Sequence, residues 1–312
     1  MDNSTLWIGF NALILLLLVI DLGVFHRKSK AISIKEALAW TGVWVAIAFL
    51  FNVFVFYQFG EQKAFEFFTG YLIEKSLSVD NIFVMVLIFS YFQVPQEYQH
   101  KVLFWGILGA LVMRFGFILS GIELIHRFHW LIYIFGGFLV FTGIRLIRQG
   151  DENFEPEKNP VVKLARKYLR ITPSFVQDKF FVKVDHKVWA TPLFLVVMLV
   201  EATDLIFAVD SIPAILAITD DAFIVYTSNT FAILGLRSLY FALAGMEKYF
   251  GYLKYGLAVI LIFVGVKMCI ADLYKIPIEI SLAFIVLTLS VSVLSSMLLS
   301  HEKNNKHLGN ES

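Results

Sequence analysis

Residues 70–82 read Gly70-Tyr71-Leu72-Ile73-Glu74-Lys75-Ser76-Leu77-Ser78-Val79-Asp80-Asn81-Ile82, and residues 204–212 read Asp204-Leu205-Ile206-Phe207-Ala208-Val209-Asp210-Ser211-Ile212. Both fit one pattern: an acid, five residues, then Asp, with Val before the second acid and a small polar residue and Ile after it. Each copy lies in a mostly apolar stretch of the length, about 20 residues, that a helix needs to cross a bilayer. Ionisable groups in hydrocarbon are expensive, so they face a protein interior and mark function by default. Two spans carrying one acidic pattern point to a helical membrane bundle with an internal repeat.

The whole chain agrees with that reading. Of 312 residues, 58% are hydrophobic and 16% charged, and the mean hydropathy is +0.74, whereas a soluble domain is about half apolar and about a quarter charged. A net charge of +1 gives no basic bias toward nucleic acid. The single cysteine, Cys269, excludes a disulfide framework, a CxxC redox centre and a Cys-rich metal site. Hydropathy predicts nine spans, near 5–25, 37–57, 68–91, 102–122, 130–147, 191–212, 222–245, 255–273 and 278–299. The chain thus reads as one all-α transmembrane domain over 1–312, with a cytoplasmic loop at 148–190 and a disordered tail at 300–312.

Orientation follows from charge. No Lys or Arg precedes the first span and Arg27, Lys28 and Lys30 follow it, so it reads as an uncleaved span with the amino terminus outside. Alternating segments then carry nineteen Lys and Arg on the inner side and three on the outer (Lys63, Arg127, Lys275). That is the positive-inside bias, and it places the carboxyl terminus inside.

The repeat extends beyond the acids. Tyr133 precedes Phe141-Thr142-Gly143-Ile144-Arg145 as Tyr255 precedes Phe263-Val264-Gly265-Val266-Lys267, with ten residues from Tyr to Gly in each. Between them, Ile107-Leu108-Gly109 and Ile233-Leu234-Gly235 are each followed by an arginine, Arg114 or Arg237, at unequal spacing. Spans three to five therefore repeat as six to eight. An odd number of helices per copy inverts the second copy in the membrane, as many secondary transporters do.

Helical spacing puts Glu74, Ser78 and Asn81 on one face, and Asp204 with Ser211 on another, while Asp80 and Asp210 turn aside. Pro213 predicts a local break that would swing Asp210 toward the same space. Glu201 adds a carboxylate one turn before Asp204, and Thr227, Ser228 and Asn229 add oxygens. An all-oxygen set suits Mg²⁺, Ca²⁺ or Mn²⁺. All seven histidines fall in loops or at span ends, so neither histidine ligation nor a haem is expected. The plain alternative is that the acids only neutralise Lys75, Arg114, Arg237 and Lys267.

The 70–81 stretch, Phe207-Ala208-Val209-Asp210-Ser211-Ile212-Pro213-Ala214, Phe223-Ile224-Val225-Tyr226-Thr227-Ser228-Asn229 and Phe231-Ala232-Ile233-Leu234-Gly235-Leu236-Arg237 resemble the signatures of the TerC family. The resemblance covers nearly the whole chain and is nearest to the family's Alx branch. It implies a non-enzymatic, multi-pass protein of the bacterial cytoplasmic membrane linked to manganese export, without a resident cofactor. On that resemblance the metal-binding residues fall at Glu74, Asp80, Asn81, Glu201, Asp204 and Asp210, with Ser78, Ser211, Asn229, Arg114 and Arg237 in support. Protons are expected to compete for the same carboxylates. The expected partners are the divalent ion and the bilayer; no nucleic acid is expected and no protein partner is inferable. Two other readings are a membrane scaffold or redox modulator, as Alx has been described, and an intramembrane aspartyl protease. The first finds one cysteine and no cofactor motif, and the second lacks a Gly-x-Gly-Asp pattern.

Overall fold

A computed structural model describes residues 3–25, 33–128, 130–148, 160–184, 186–244, 253–274 and 276–309. Helix α1 is Asn3–Phe25, α2 Ile34–Phe59, α3 Glu61–Tyr91, α4 Gln96–Arg127 and α5 Leu131–Arg148. A short α6 (Pro160–Tyr168) and a hairpin of β1 (Phe181–Val184) and β2 (Lys187–Ala190) follow. The chain continues as α7 (Pro192–Leu216), α8 (Ala222–Leu234), α9 (Leu236–Leu243), α10 (Leu253–Cys269) and α11 (Ile278–Gly309). The protein is mostly helical and multi-pass. Among the described residues α1, α2, α4, α5, α7 and α11 are long and apolar enough to cross a membrane. Helix α3 is long but carries Glu66, Glu74, Lys75 and Asp80, and α10 is only 17 residues.

Local chemistry sets the helix ends. The Ser33 hydroxyl caps α2 by accepting from the Glu36 amide at 3.3 Å. Gly60, at φ 90°, makes the left-handed turn between α2 and α3 that a side chain would strain. Asp221 caps α8 by accepting from the amides of Phe223 and Ile224 at 3.0 and 3.3 Å. Pro192 opens α7, where its missing N–H is no loss.

Three sequence expectations change here. No break occurs near Pro213: α7 runs through it to Leu216, and the burial of every residue from Ser211 to Leu216 holds the last turns in place although the proline removes one i−4 hydrogen bond. The span read over 222–245 is two helices meeting at Gly235, where a Cβ would lie 2.8 Å from Lys75 Nζ and 3.1 Å from Trp44 Cβ. Within the segment read as the 148–190 loop, β1 and β2 pair antiparallel, Phe181 opposite Ala190 and Val184 opposite Lys187. Their alternating Val, Lys and aromatic residues suit a strand. Helix α11 also runs on through the His301–Gly309 stretch read as tail.

The helices that the sequence pattern pairs as two copies pack reciprocally. Helix α3 packs on α8 and α4 on α7, so the first helix of each copy lies against the second of the other. The third helices, α5 and α10, pack on each other. At that crossing a Cβ on Gly265 would lie 2.5 Å from the Gly136 carbonyl, and one on Gly143 would lie 2.7 Å from the Ala258 carbonyl. Gly143 and Gly265 are 122 residues apart, as are Gly136 and Ala258. One contact is therefore the other with the two copies exchanged, the signature of a two-fold-like interface. Small residues let backbones approach in this way where lipid supplies no hydrophobic drive. Gly265→Ala should cost about 1–3 kcal/mol by overpacking. Gly137→Ala, with nothing within 4 Å of its Cβ position, should cost little. Thermal unfolding of the two variants in detergent checks the difference.

Candidate functional site

The first helices of the two copies bring their leading acids to one point. Glu74 of α3 and Asp204 of α7 flank Arg114 of α4, and all three are at most 5% exposed. Arg114 donates to both carboxylate oxygens of Asp204, Nη2 to Oδ1 at 2.9 Å and Nε to Oδ2 at 3.2 Å, the fork-to-fork geometry that favours arginine. Its Nη1 donates to Glu74 Oε1, and also lies 3.4 Å from Ser211 Oγ and from Asn229 Oδ1. Two amides complete the ring. Asn81 donates to Asp204 Oδ1 at 3.1 Å, and Asn229 of α8 donates to Glu74 Oε2 at 2.9 Å.

With both acids ionised, one guanidinium faces two carboxylates, so the ring carries an excess of negative charge away from water. Two oxygens beside it lack a hydrogen-bond partner: Asn81 Oδ1 and Glu201 Oε2. Glu201 lies one helical turn before Asp204, and its carboxylate fills the notch at Gly109 of α4, where a Cβ would lie 2.2 Å from Oε1. A side chain at Gly109 would push the Glu201 carboxyl group out of this position. The centre thus pairs an anionic oxygen ring with unsatisfied acceptors, a surface suited to a cation.

The ring gathers Glu74, Asn81, Asp204, Ser211, Asn229 and Arg114 from the residues singled out by sequence. Ser78 is buried on the same α3 face. Asp210 turns aside, as the helical spacing implies, and accepts a hydrogen bond from Thr142 of α5 at 3.1 Å. The side chain of Asp80 lies outside the described residues. Among the described residues no three His, Cys, Asp or Glu side chains converge closely enough to hold a metal unaided. The ring as described is an arginine-closed arrangement.

Arg237 does not support the ring. It pairs with Asp21 of α1, Nη2 to Oδ2 at 2.8 Å, and donates to the Asp21 carbonyl at 2.9 Å. The reason is the break at Gly235, which carries Arg237 into the separate helix α9. Asp21 is the one acid in the otherwise apolar first span, and that isolation is the sequence signal for its buried partner. Lys75 donates to the Ala232 carbonyl at 3.2 Å and Lys267 to Ser281 at 3.0 Å, so neither serves the acids of the ring. Removing one member of the Asp21–Arg237 pair should cost about 3–5 kcal/mol by leaving a buried charge. Asp21→Asn combined with Arg237→Gln should recover most of it, which a double-mutant cycle on melting would measure.

Comparison with known proteins agrees with the architecture. The integral membrane protein TerC family matches residues 59–304. The Uncharacterized membrane protein STKORF319 of Myxococcus xanthus is 51% identical over 295 residues, covering 95% of this chain and 92% of its own. The Alx proteins of Salmonella typhi and Escherichia coli K12, which carry the provisional label of membrane-bound redox modulator, are 46% and 48% identical over 311 and 289 residues. Those alignments cover 96% of each chain for the first and 90% of each for the second. No solved structure matches. The chain belongs to the TerC family of integral membrane proteins.

Proposed function

We propose that this protein is a secondary transporter that exports a hard divalent cation, Mn²⁺ foremost, across the bacterial cytoplasmic membrane. The observation that carries this reading is the meeting of Glu74 and Asp204, equivalent acids of the two repeat copies, at a single buried Arg114. In this account Arg114 is the resident counter-ion of an empty carrier. An incoming ion displaces the guanidinium and takes Glu74, Asp204 and the Asn81 and Glu201 oxygens, with Asp80 and Asp210 as further ligands along the path. Oxygen donors with excess negative charge offset the dehydration of a hard divalent ion and offer nothing to a thiophilic one. When the ion leaves, Arg114 returns, so the carboxylates are never left unpaired in hydrocarbon.

The same proposal takes nine crossings, with the amino terminus outside, the carboxyl terminus inside, and α8 and α9 together forming one crossing. The α3–α5 unit then repeats inverted as α7–α10, which the reciprocal packing of α3 on α8 and α4 on α7 supports. Inverted copies related about a central ion site provide two access states by exchanging conformations. A reporter fused after Ser312 should be active only in the cytoplasm, and one inserted near Lys63 only outside. Either fusion reporting the opposite side would remove the inverted topology. The transport claim itself is tested by ion flux in oriented vesicles.

A further inference from the structure

The segment between α5 and α7 carries chemistry that ion transport does not use. Residues 160–190 hold seven Lys and Arg against two Asp. One of those, Asp178, is already held by Lys101, whose Nζ lies 3.0 Å from its carboxylate and 2.6 Å from its carbonyl. That hydrogen bond keeps the Asp178 carboxyl below its ordinary range. Arg170, Lys179, Lys183 and Lys187 are all exposed, and Asp185 is the one other acid in the segment.

The fold gathers these cations on one small sheet at the foot of a membrane span. Thr172 donates to the Ala190 carbonyl at 2.9 Å and Ala190 to the Arg170 carbonyl at 2.8 Å, so 170–172 lies beside β2 as β1 does on its other edge. Two residues after Ala190 the chain enters α7. The Phe181 ring, in β1, packs on Phe194 of α7 with centroids 4.5 Å apart. The Thr191 hydroxyl ties the junction by donating to the Lys179 carbonyl at 2.6 Å. Phe181, Val184 and Val188 are 49%, 40% and 61% exposed among the lysines. Exposed apolar groups alternating with cations, fixed within a turn of a bilayer span, are ill suited to bulk water and well suited to a headgroup layer.

We propose that this sheet binds anionic phospholipid headgroups of the leaflet it adjoins, with Lys179, Lys183 and Lys187 on phosphates and Phe181, Val184 and Val188 at the acyl boundary. The charge count assigns that leaflet to the cytoplasmic side. The binding itself does not depend on the assignment.

The test uses the full chain in nanodiscs of phosphatidylcholine with and without phosphatidylglycerol, reading amide hydrogen exchange across 181–190. Phosphatidylglycerol should slow exchange there, and added salt should weaken the effect. Each lysine changed to Gln should raise the phosphatidylglycerol content needed for half-protection about fivefold. Changing Lys179, Lys183 and Lys187 together to Gln should remove the protection, while Lys→Arg at the same sites keeps it and shows that the sheet remains folded. Equal exchange in the two lipid compositions would overturn the proposal. So would protection that survives the triple Gln change, or protection reproduced by inorganic phosphate in phosphatidylcholine alone, which would mark a free-anion site instead. Both faces of a nanodisc are accessible, so an error in the membrane orientation leaves this result unaffected.

Discussion

Arg114→Gln protein, purified in detergent without metal, should melt well below the wild type and recover on addition of Mn²⁺. Removing the guanidinium leaves Glu74 and Asp204 buried and unpaired, which costs about 3–5 kcal/mol. If the cation site is the ring that Arg114 closes, a divalent ion replaces the lost charge. At about 100 times its dissociation constant, bound ion contributes about 2.7 kcal/mol of stabilisation. The wild type should gain less from the same Mn²⁺, because binding there must first break three charge-assisted hydrogen bonds to the two acids. Equal stabilisation of both proteins by Mn²⁺, or none in the variant, would separate Arg114 from the ion site.

Asp204→Asn and Glu74→Gln should each reduce Mn²⁺ flux by more than about a hundredfold, beyond the 10–100-fold typical of changes in outer-shell partners of a metal. Each keeps an oxygen donor and nearly the same volume but removes a charge needed against ion dehydration. Folding should survive, because Arg114 retains the other carboxylate. Flux and protein level are thus expected to part: little transport from a normal amount of membrane-inserted protein. If protein level falls with flux, the acids serve chiefly to neutralise arginine. Glu74→Gln and Asp204→Asn combined with Arg114→Gln, which leaves no buried charge behind, should then restore the level.

Much of this arrangement was legible in the sequence because it rests on local periodicity. The acidic pattern, the 3.6-residue spacing of Glu74, Ser78 and Asn81, and the equal Tyr-to-Gly intervals each follow from a single stretch of chain. Which helix meets which does not. Arg114 is 40 residues from Glu74 and 90 from Asp204, and no periodicity says that α4 rather than α9 supplies the arginine. That choice follows from the break at Gly235. There a side chain would crowd Trp44 and Lys75, and beyond the break Arg237 pairs with Asp21 on α1. The Gly109 notch was similarly hidden. The glycine was visible as part of a repeated triplet, but its use as a seat for Glu201 depends on the close crossing of α4 and α7. Pro213 misled for the opposite reason: the tertiary packing that buries Ser211 to Leu216 outweighs the one backbone hydrogen bond a proline removes, and no local pattern reveals that packing.

The account stands on ion movement through the ring. The most direct measurement is Mn²⁺ accumulation in inside-out membrane vesicles, where export from the cell reads as uptake, with Mg²⁺, Ca²⁺ and Zn²⁺ as competitors. The account predicts uptake by wild-type vesicles that hard divalent ions compete for and Asp204→Asn abolishes at equal protein level. Mn²⁺ uptake no greater than in vesicles lacking the protein, or uptake undiminished in stable Asp204→Asn protein, would contradict it.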